Sequence, residues 1–181
     1  MAFVATELEP RIGTRVEADT GELLSGARTK EIRDLLAERA VLVFPRLNLT
    51  DDQLRVVHSF GANQRINDPV PSYRKLLEWR SRYPHPRLHP MVWHHRNGHN
   101  SLAIGTTSSH VDGMSLDDGR LLLAKLLDWA TQPHYVYSHD WEVGDLGIYD
   151  NTAVLHRVVH YAADSGRLMH RTALNGVEGI G

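Results

Sequence analysis

The chain contains no cysteine among its 181 residues, so disulfides, thiolate metal sites and cysteine nucleophiles are excluded outright. It also lacks any uninterrupted apolar run approaching the ~18 residues of a membrane-spanning helix, so no membrane partner is expected. Basic excess is missing as well. Twenty Lys and Arg stand against twenty-two Asp and Glu, a formal charge of −2, which argues against nucleic-acid binding through a basic face and against a polybasic membrane anchor. The opening residues, Met1 to Glu7, show no basic region followed by an apolar stretch, so no signal peptide is expected and a cytoplasmic location is the default. There are no internal repeats or low-complexity tracts. The apolar and charged fractions, 41% and 23%, are those of an ordinary globular domain, and the length suits one core rather than two.

What is abundant is histidine, with twelve copies, nearly all after Pro84. In a cysteine-free chain a transition-metal site must be built from imidazole and carboxylate ligands. Most histidines are nonetheless ordinary surface residues, and each needs its own context.

The first forty-five residues read as strand, strand, helix, strand. Phe3–Leu8 and Thr14–Ala18 are β-prone runs punctuated by Pro10 and Gly13. Between Arg28 and Arg39, Ile32, Leu35 and Leu36 recur at helical spacing. Ala40–Phe44 is a continuous apolar run stopped by Pro45, the pattern of a strand buried on both faces. Thr50 and Gln53 form a capping box for a helix reaching Phe60, which Gly61 can end. The stretch from Gly61 to Pro90 is broken by five prolines, and only Ser72–Arg82 within it looks helical.

After Pro90 the pattern is regular again. Met91–His95 and Asn100–Gly105 flank Asn97-Gly98, a two-residue hairpin signal. Ser115 and Asp118 cap a helix running to Ala130. His134–Trp141 alternates, Val143-Gly144-Asp145 turns, and Leu146–Tyr149 is apolar. Val154–His160 and Arg167–Leu174 read as a hairpin closed around Asp164-Ser165-Gly166. The expected fold class is therefore mainly β with peripheral helices.

Strand side chains alternate faces, so His156, Val158 and His160 share one face, and Arg167, Met169 and Arg171 share one on the partner. A turn at Ala163-Asp164 sets position 156 opposite 171 and 160 opposite 167. Two guanidiniums on one surface are costly unless they meet water or anions, and their planar forks suit carboxylate or sulfonate groups. An imidazole beside them could ligate a metal whose other positions take an anionic chelator. The plainer alternative is a solvated face with exposed arginines. Elsewhere, His94 and His95 point to opposite faces and with His99 make no joint metal site, and His139 and His160 have no context beyond strand membership.

The segment from Trp141 through Gly144-Asp145, Tyr149-Asp150-Asn151 and His156-Arg157 resembles the W-x-x-G-D-x-x-x-W-D-N-x-x-x-x-H-R signature of TauD/TfdA-type Fe(II)/2-oxoglutarate-dependent dioxygenases, with Tyr149 in place of the second tryptophan. Ser165 to Gly176 resembles that family's closing strand. Ser101-Leu102, Gly113-Met114 through Arg120, Ala130 to Pro133 and Tyr135 to Tyr137 resemble its preceding elements. Val41–Phe44 and Leu49–Gln53 match its opening more loosely. The likeness is strong from Leu88 onward and weak over residues 1–61. Tyr135 to Tyr137 and the Ser165–Arg171 run look closest to the phenoxyacetate-type branch.

The resemblance implies one domain over residues 1–181 with a double-stranded β-helix, or jelly roll, left incomplete by a missing or deleted segment near 61–70. It implies an enzyme that couples oxidative decarboxylation of 2-oxoglutarate to hydroxylation of a small, anionic organic substrate, with release of succinate and CO2. It implies Fe(II) as cofactor and 2-oxoglutarate as cosubstrate. By position, His156 is the distal iron ligand, Arg167, eleven residues on, binds the distal carboxylate of 2-oxoglutarate, and Arg171 holds the acidic group of the substrate. No separate catalytic residue is assigned.

The sequence also departs from the family at the iron ligands. The other two iron ligands form an H-x-D/E motif well upstream of the distal histidine, and the literal match here, His110-Val111-Asp112, stands where the family has no ligand. It reads as a chance match. A natural deletion, completion of the barrel by a second chain in a homo-oligomer, and a segment lacking from the sequence all remain open. The rival reading is a catalytically inactive jelly-roll remnant that binds a ligand or partner; a histidine-rich zinc-binding domain sharing the fold is a further option.

Overall fold

The computed structural model describes residues 3–50, 53, 73–82, 87–105 and 108–173. The opening pattern folds as expected, with one addition. β1 (Val4–Glu7) pairs antiparallel with β2 (Thr14–Glu17), from Val4 opposite Glu17 to Glu7 opposite Thr14. The loop between them closes where Leu8 N–H donates to the Gly13 carbonyl at 3.0 Å. α1 (Thr20–Leu24) was not read from periodicity, being only five residues long. Its signal is the cap: the Asp19 carboxylate accepts from the Gly21 and Glu22 amides at 2.9 and 3.2 Å.

α2 (Thr29–Arg39) then returns the chain to β3 (Val41–Phe44), which runs parallel to β2 with Thr14 opposite Leu42. A crossover of this length is what a parallel pair requires. α2 ends at Ala40 in the left-handed region, φ 59°, with the Ala40 amide bonded to the Leu36 carbonyl at 2.8 Å. Beyond it β6 (Leu146–Tyr149) pairs antiparallel with β3, from Val41 opposite Tyr149 to Phe44 opposite Leu146. The sheet order is β1-β2-β3-β6.

The core lies where that sheet meets α2. Val16, Leu42 and Phe44 are fully buried, with Ile32, Leu35 and Leu36 packed on them from the helix and Leu146 and Ile148 from β6. One charged group is buried beside it. The Arg39 guanidinium donates to the Thr14 hydroxyl at 3.2 Å and to the backbone carbonyls of Glu9, Pro10 and Gly13. It carries the β1–β2 loop on one side chain, a buried cation kept tolerable by acceptors on several sides.

α3 (Tyr73–Arg82) is present as read. The Thr50/Gln53 capping box forms: the Gln53 side chain accepts from the Thr50 amide at 2.9 Å, and the Thr50 hydroxyl accepts from the Gln53 amide at 3.2 Å. The remainder of that expected helix, and the segment near 61–70, lie outside the described residues. β4 (Val92–His94) and β5 (Asn100–Leu102) make a separate two-stranded antiparallel sheet. The connection is wider than a two-residue turn. It spans His95 to His99, closed by the His95 amide on the His99 carbonyl at 2.9 Å.

α4 (Leu116–Ala130) starts at its expected cap, the Ser115 hydroxyl accepting from the Asp118 amide at 3.2 Å. It is followed by a short 3-10 turn, Pro133–Tyr135.

Three expected strands form no ladder: residues 136–141, 154–160 and 167–173 carry no strand pairing. The turn between the latter two does form, with the Ser165 amide on the Ala162 carbonyl at 3.1 Å. Alternation predicts which side chains share a face, but a ladder also needs a neighbouring backbone, and none is paired there. Among the described residues the two sheets do not close into a barrel.

Candidate functional site

The candidate site is built at the end of β6 that faces the start of β3. The Asp150 amide donates to the Ala40 carbonyl at 3.0 Å, continuing the β3–β6 pairing by one residue. The chain then turns on Asp150, whose carboxylate accepts from the Thr152 amide at 2.8 Å and the Thr152 hydroxyl at 2.7 Å. The Ala153 and Val154 amides donate to the Asp150 carbonyl at 3.1 and 3.2 Å. From the other side, the Ser101 hydroxyl of β5 donates to the Thr152 carbonyl at 2.6 Å. The Asp150-Asn151 pair of the motif is thus a turn clamp that joins the two sheets.

That clamp brings His156 back over Tyr149. Their rings lie 4.7 Å apart between centroids, tilted by 49°. His156 is exposed on its other side. Its pKa is held below the ordinary histidine value, first by partial burial and then by the positive charge of Arg171. No backbone ladder joins the segments of His156 and Arg171, so the expected 156–171 register is not formed as strand pairing. Arg167 is placed differently. Its guanidinium stacks over the Tyr161 ring at 4.5 Å to the centroid, and both arginines are exposed.

His110 and Asp112 sit in the loop before α4, both exposed, and the His110 ring contacts the neighbouring Ser109 hydroxyl at 3.1 Å. That loop rests on α4 at Gly119, where an added Cβ would lie 2.8 Å from the Val111 nitrogen. Its role is helix seating. The turn histidines go to separate partners, His94 to the Asn100 side chain at 2.6 Å and His95 to the Ser101 hydroxyl at 2.8 Å.

A facial triad needs three protein donors. His156 would suit one of them: an exposed imidazole whose charged form is disfavoured. Among the described residues no three His, Cys, Asp or Glu side chains come together in a way that could hold a metal ion.

A second cluster, absent from the sequence reading, lies at the opposite end of β6. The Tyr137 hydroxyl and His139 Nδ1 are 2.9 Å apart, and His139 Nε2 meets the Asp145 carboxylate at 2.9 Å. Asp145 also accepts the Arg46 amide at 2.9 Å and the Glu142 amide at 3.0 Å. Burial pushes the Asp145 pKa up, but the two backbone hydrogen bonds and His139 outweigh it and hold the group below its ordinary value. Burial, and then the Asp140 and Asp145 charges, raise the Tyr137 pKa. These groups line a cleft of about 280 Å³ together with Arg15 and Arg46. The Trp141 ring closes edge-on against His139 at 4.7 Å.

Comparison with known proteins bears on both ends of β6. Residues 73–173 match the family described as "Taurine catabolism dioxygenase TauD, TfdA family". The alpha-ketoglutarate-dependent 2,4-dichlorophenoxyacetate dioxygenase of Burkholderia sp. (strain RASC) is 42% identical over 92 residues, 48% of this chain and 31% of that protein. The (S)-phenoxypropionate/alpha-ketoglutarate-dioxygenase of Sphingobium herbicidovorans is 33% identical over 90 residues, 49% of this chain and 31% of that protein. The matched part is thus less than a third of either relative.

Among solved structures, AAD-2 in complex with Mn(II) and N-oxalylglycine superposes with a TM-score of 0.73 at 21% identity, over 90% of this chain and 92% of that one. A taurine dioxygenase from Burkholderia xenovorans gives 0.61 at 19% identity, over 82% and 81%. At these identities the likeness is one of fold.

Proposed function

The chain belongs to the TauD/TfdA family, and from that membership we propose that it carries the C-terminal part of an Fe(II)/2-oxoglutarate-dependent dioxygenase site, acting on a small anionic organic molecule and releasing succinate and CO2. The observation that carries this reading is His156 at the end of the family motif, delivered by the Asp150 turn onto the Tyr149 ring.

In this reading His156 is one ligand of the iron, Arg167 receives the distal carboxylate of 2-oxoglutarate, and Arg171 receives the acidic group of the substrate. The bound iron and oxoacid together supply the oxidising chemistry. The protein's own contribution is electrostatic and positional. Arg171 favours the neutral imidazole, which is the ligating form, and attracts an anion to the same face. Arg167, held over Tyr161 by a face contact, keeps its N–H edge for a planar carboxylate. The relatives act, by their names, on aryloxyalkanoic acids, which favours a substrate of that class: a carboxylate on a short chain bearing an aromatic ring.

The jelly roll belongs to the same proposal, its closing strands being 154–160 and 167–173 once the remaining donors and their strands are in place. Binding of 2-oxoglutarate tests the reading. Arg167→Ala should weaken it roughly tenfold or more, from the loss of a charge-assisted pair, while Arg171→Ala should spare 2-oxoglutarate and weaken the aryloxyalkanoate. Unchanged 2-oxoglutarate affinity in Arg167→Ala contradicts the assignment.

A second reading is favoured because, among the described residues, no three His, Cys, Asp or Glu side chains come together to hold a metal ion. In it the chain is a catalytically inactive remnant that binds the anion without turning it over. The two part on metal dependence, since a remnant would bind 2-oxoglutarate equally well with and without a divalent ion.

A further inference from the structure

We infer that Tyr149 is the residue that sets the orientation of the His156 imidazole. Metal-binding histidines are usually oriented by a hydrogen bond from the second ring nitrogen to a carboxylate or carbonyl. Among the described residues no hydrogen bond reaches the His156 ring. What meets it is the Tyr149 ring at 4.7 Å, tilted by 49°. The inference rests on the reading above for the purpose of the imidazole, though not for the contact itself.

The two residues differ in how firmly they are held. Tyr149 closes β6 opposite Val41 and is half-buried, so its backbone is fixed by the main sheet. His156 stands in a segment without ladder pairing. Between them the Asp150 turn is pinned by the Thr152 hydroxyl, by the Ser101 hydroxyl and by the Ala40 carbonyl. A rigid turn thus lays a loosely held imidazole against a rigid ring. A tilted ring contact blocks rotation of the imidazole about its Cβ–Cγ bond on one side and leaves the opposite edge open. Arg171 supplies charge near the ring, but charge alone has little directional preference. Orientation falls to the aromatic face.

A phenyl ring should do the same work, because the contact is with the face of the ring and no bond to the Tyr149 hydroxyl enters it. A leucine at this position fills space and keeps the strand apolar, but it has no planar face to align a second ring.

Side-chain 1H–15N correlation spectra of the full chain test this, with the amide signals of β3 as a control for the intact sheet. Tyr149→Phe should leave the His156 ring signals in place. Tyr149→Leu should move them toward those of an unstructured histidine, with the β3 amides unchanged. Cobalt(II) affinity, read by absorbance, should fall roughly tenfold to a hundredfold in Tyr149→Leu, the range for loss of an orienting partner, and should hold in Tyr149→Phe. Ring signals that stay in place in Tyr149→Leu overturn the inference. So do ring signals that move while cobalt affinity holds, provided His156→Ala lowers that affinity. Wild-type cobalt affinity in His156→Ala overturns the underlying ligand assignment instead, and the ring signals then still decide the orientation.

Discussion

The carboxylate of Asp145 accepts the backbone N–H of Arg46 at 2.9 Å, a bond between residues ninety-nine positions apart. It fastens the exit of β3 to the turn that begins β6, and the same carboxylate takes His139 and the Glu142 amide. The Gly144-Asp145 pair of the motif is therefore a structural joint of the main sheet, at the opposite end of β6 from His156.

Replacing Asp145 by Ala leaves two backbone donors and one imidazole without their acceptor. At about 1–3 kcal/mol for each buried group left unpaired, partly relieved by water at this cleft, a loss of about 3 kcal/mol is expected in urea unfolding.

Acid should weaken the same joint. The folded Asp145 pKa lies below its unfolded value. Its contribution is then full above the unfolded carboxylate value, near ~3.9, and is lost as pH falls through the lower folded one. Unfolding midpoints followed downward from pH 5 should show the wild type losing an increment that Asp145→Ala lacks. Parallel curves for the two proteins would contradict it.

Gly144→Ala should be destabilising on two counts. The residue has φ +92°, and an added Cβ would run into the Asn48 side chain. The left-handed backbone costs about 1–2 kcal/mol for a non-glycine residue. Moving Asn48 away would break its own bond to the Arg46 carbonyl, 2.8 Å long. Thermal unfolding of Gly144→Ala alone and with Asn48→Ala separates the two contributions, the double variant recovering only the part due to contact.

Gly119→Ala sets two effects of opposite sign against each other. Alanine favours a helix interior by about 1 kcal/mol over glycine, but the Cβ would lie 2.8 Å from the backbone nitrogen of Val111. Backbone cannot rotate away as a side chain can, so the contact wins and the His110–Val111 loop must shift. Faster amide exchange at Val111 and a lower melting temperature are expected; a raised melting temperature would show that the loop is not seated there.

How far the sequence led depends on what each signal encodes. Val41–Phe44 was legible because a continuous apolar run ended by Pro45 has few other uses, and α4 because Ser115 and Asp118 mark its start. α1 is too short for periodicity, and only Asp19 announces it. Residues 136–141 alternate like a strand, yet Tyr137 is spent on His139, and His139 on Asp145, rather than on a sheet face. The family of His156 could be read from the motif around it. Its contact with Tyr149 could not, because it depends on a turn held by Ser101, which lies in the other sheet.

The proposed function depends above all on His156 as a metal ligand on a face that also takes 2-oxoglutarate. Its most direct test is the anaerobic difference spectrum on adding Fe(II) and 2-oxoglutarate to protein whose intact mass matches the 20.5 kDa of this chain. A weak visible charge-transfer band is expected in the wild type and should disappear in His156→Ala. A flat wild-type spectrum, or a band that survives in His156→Ala, would contradict it.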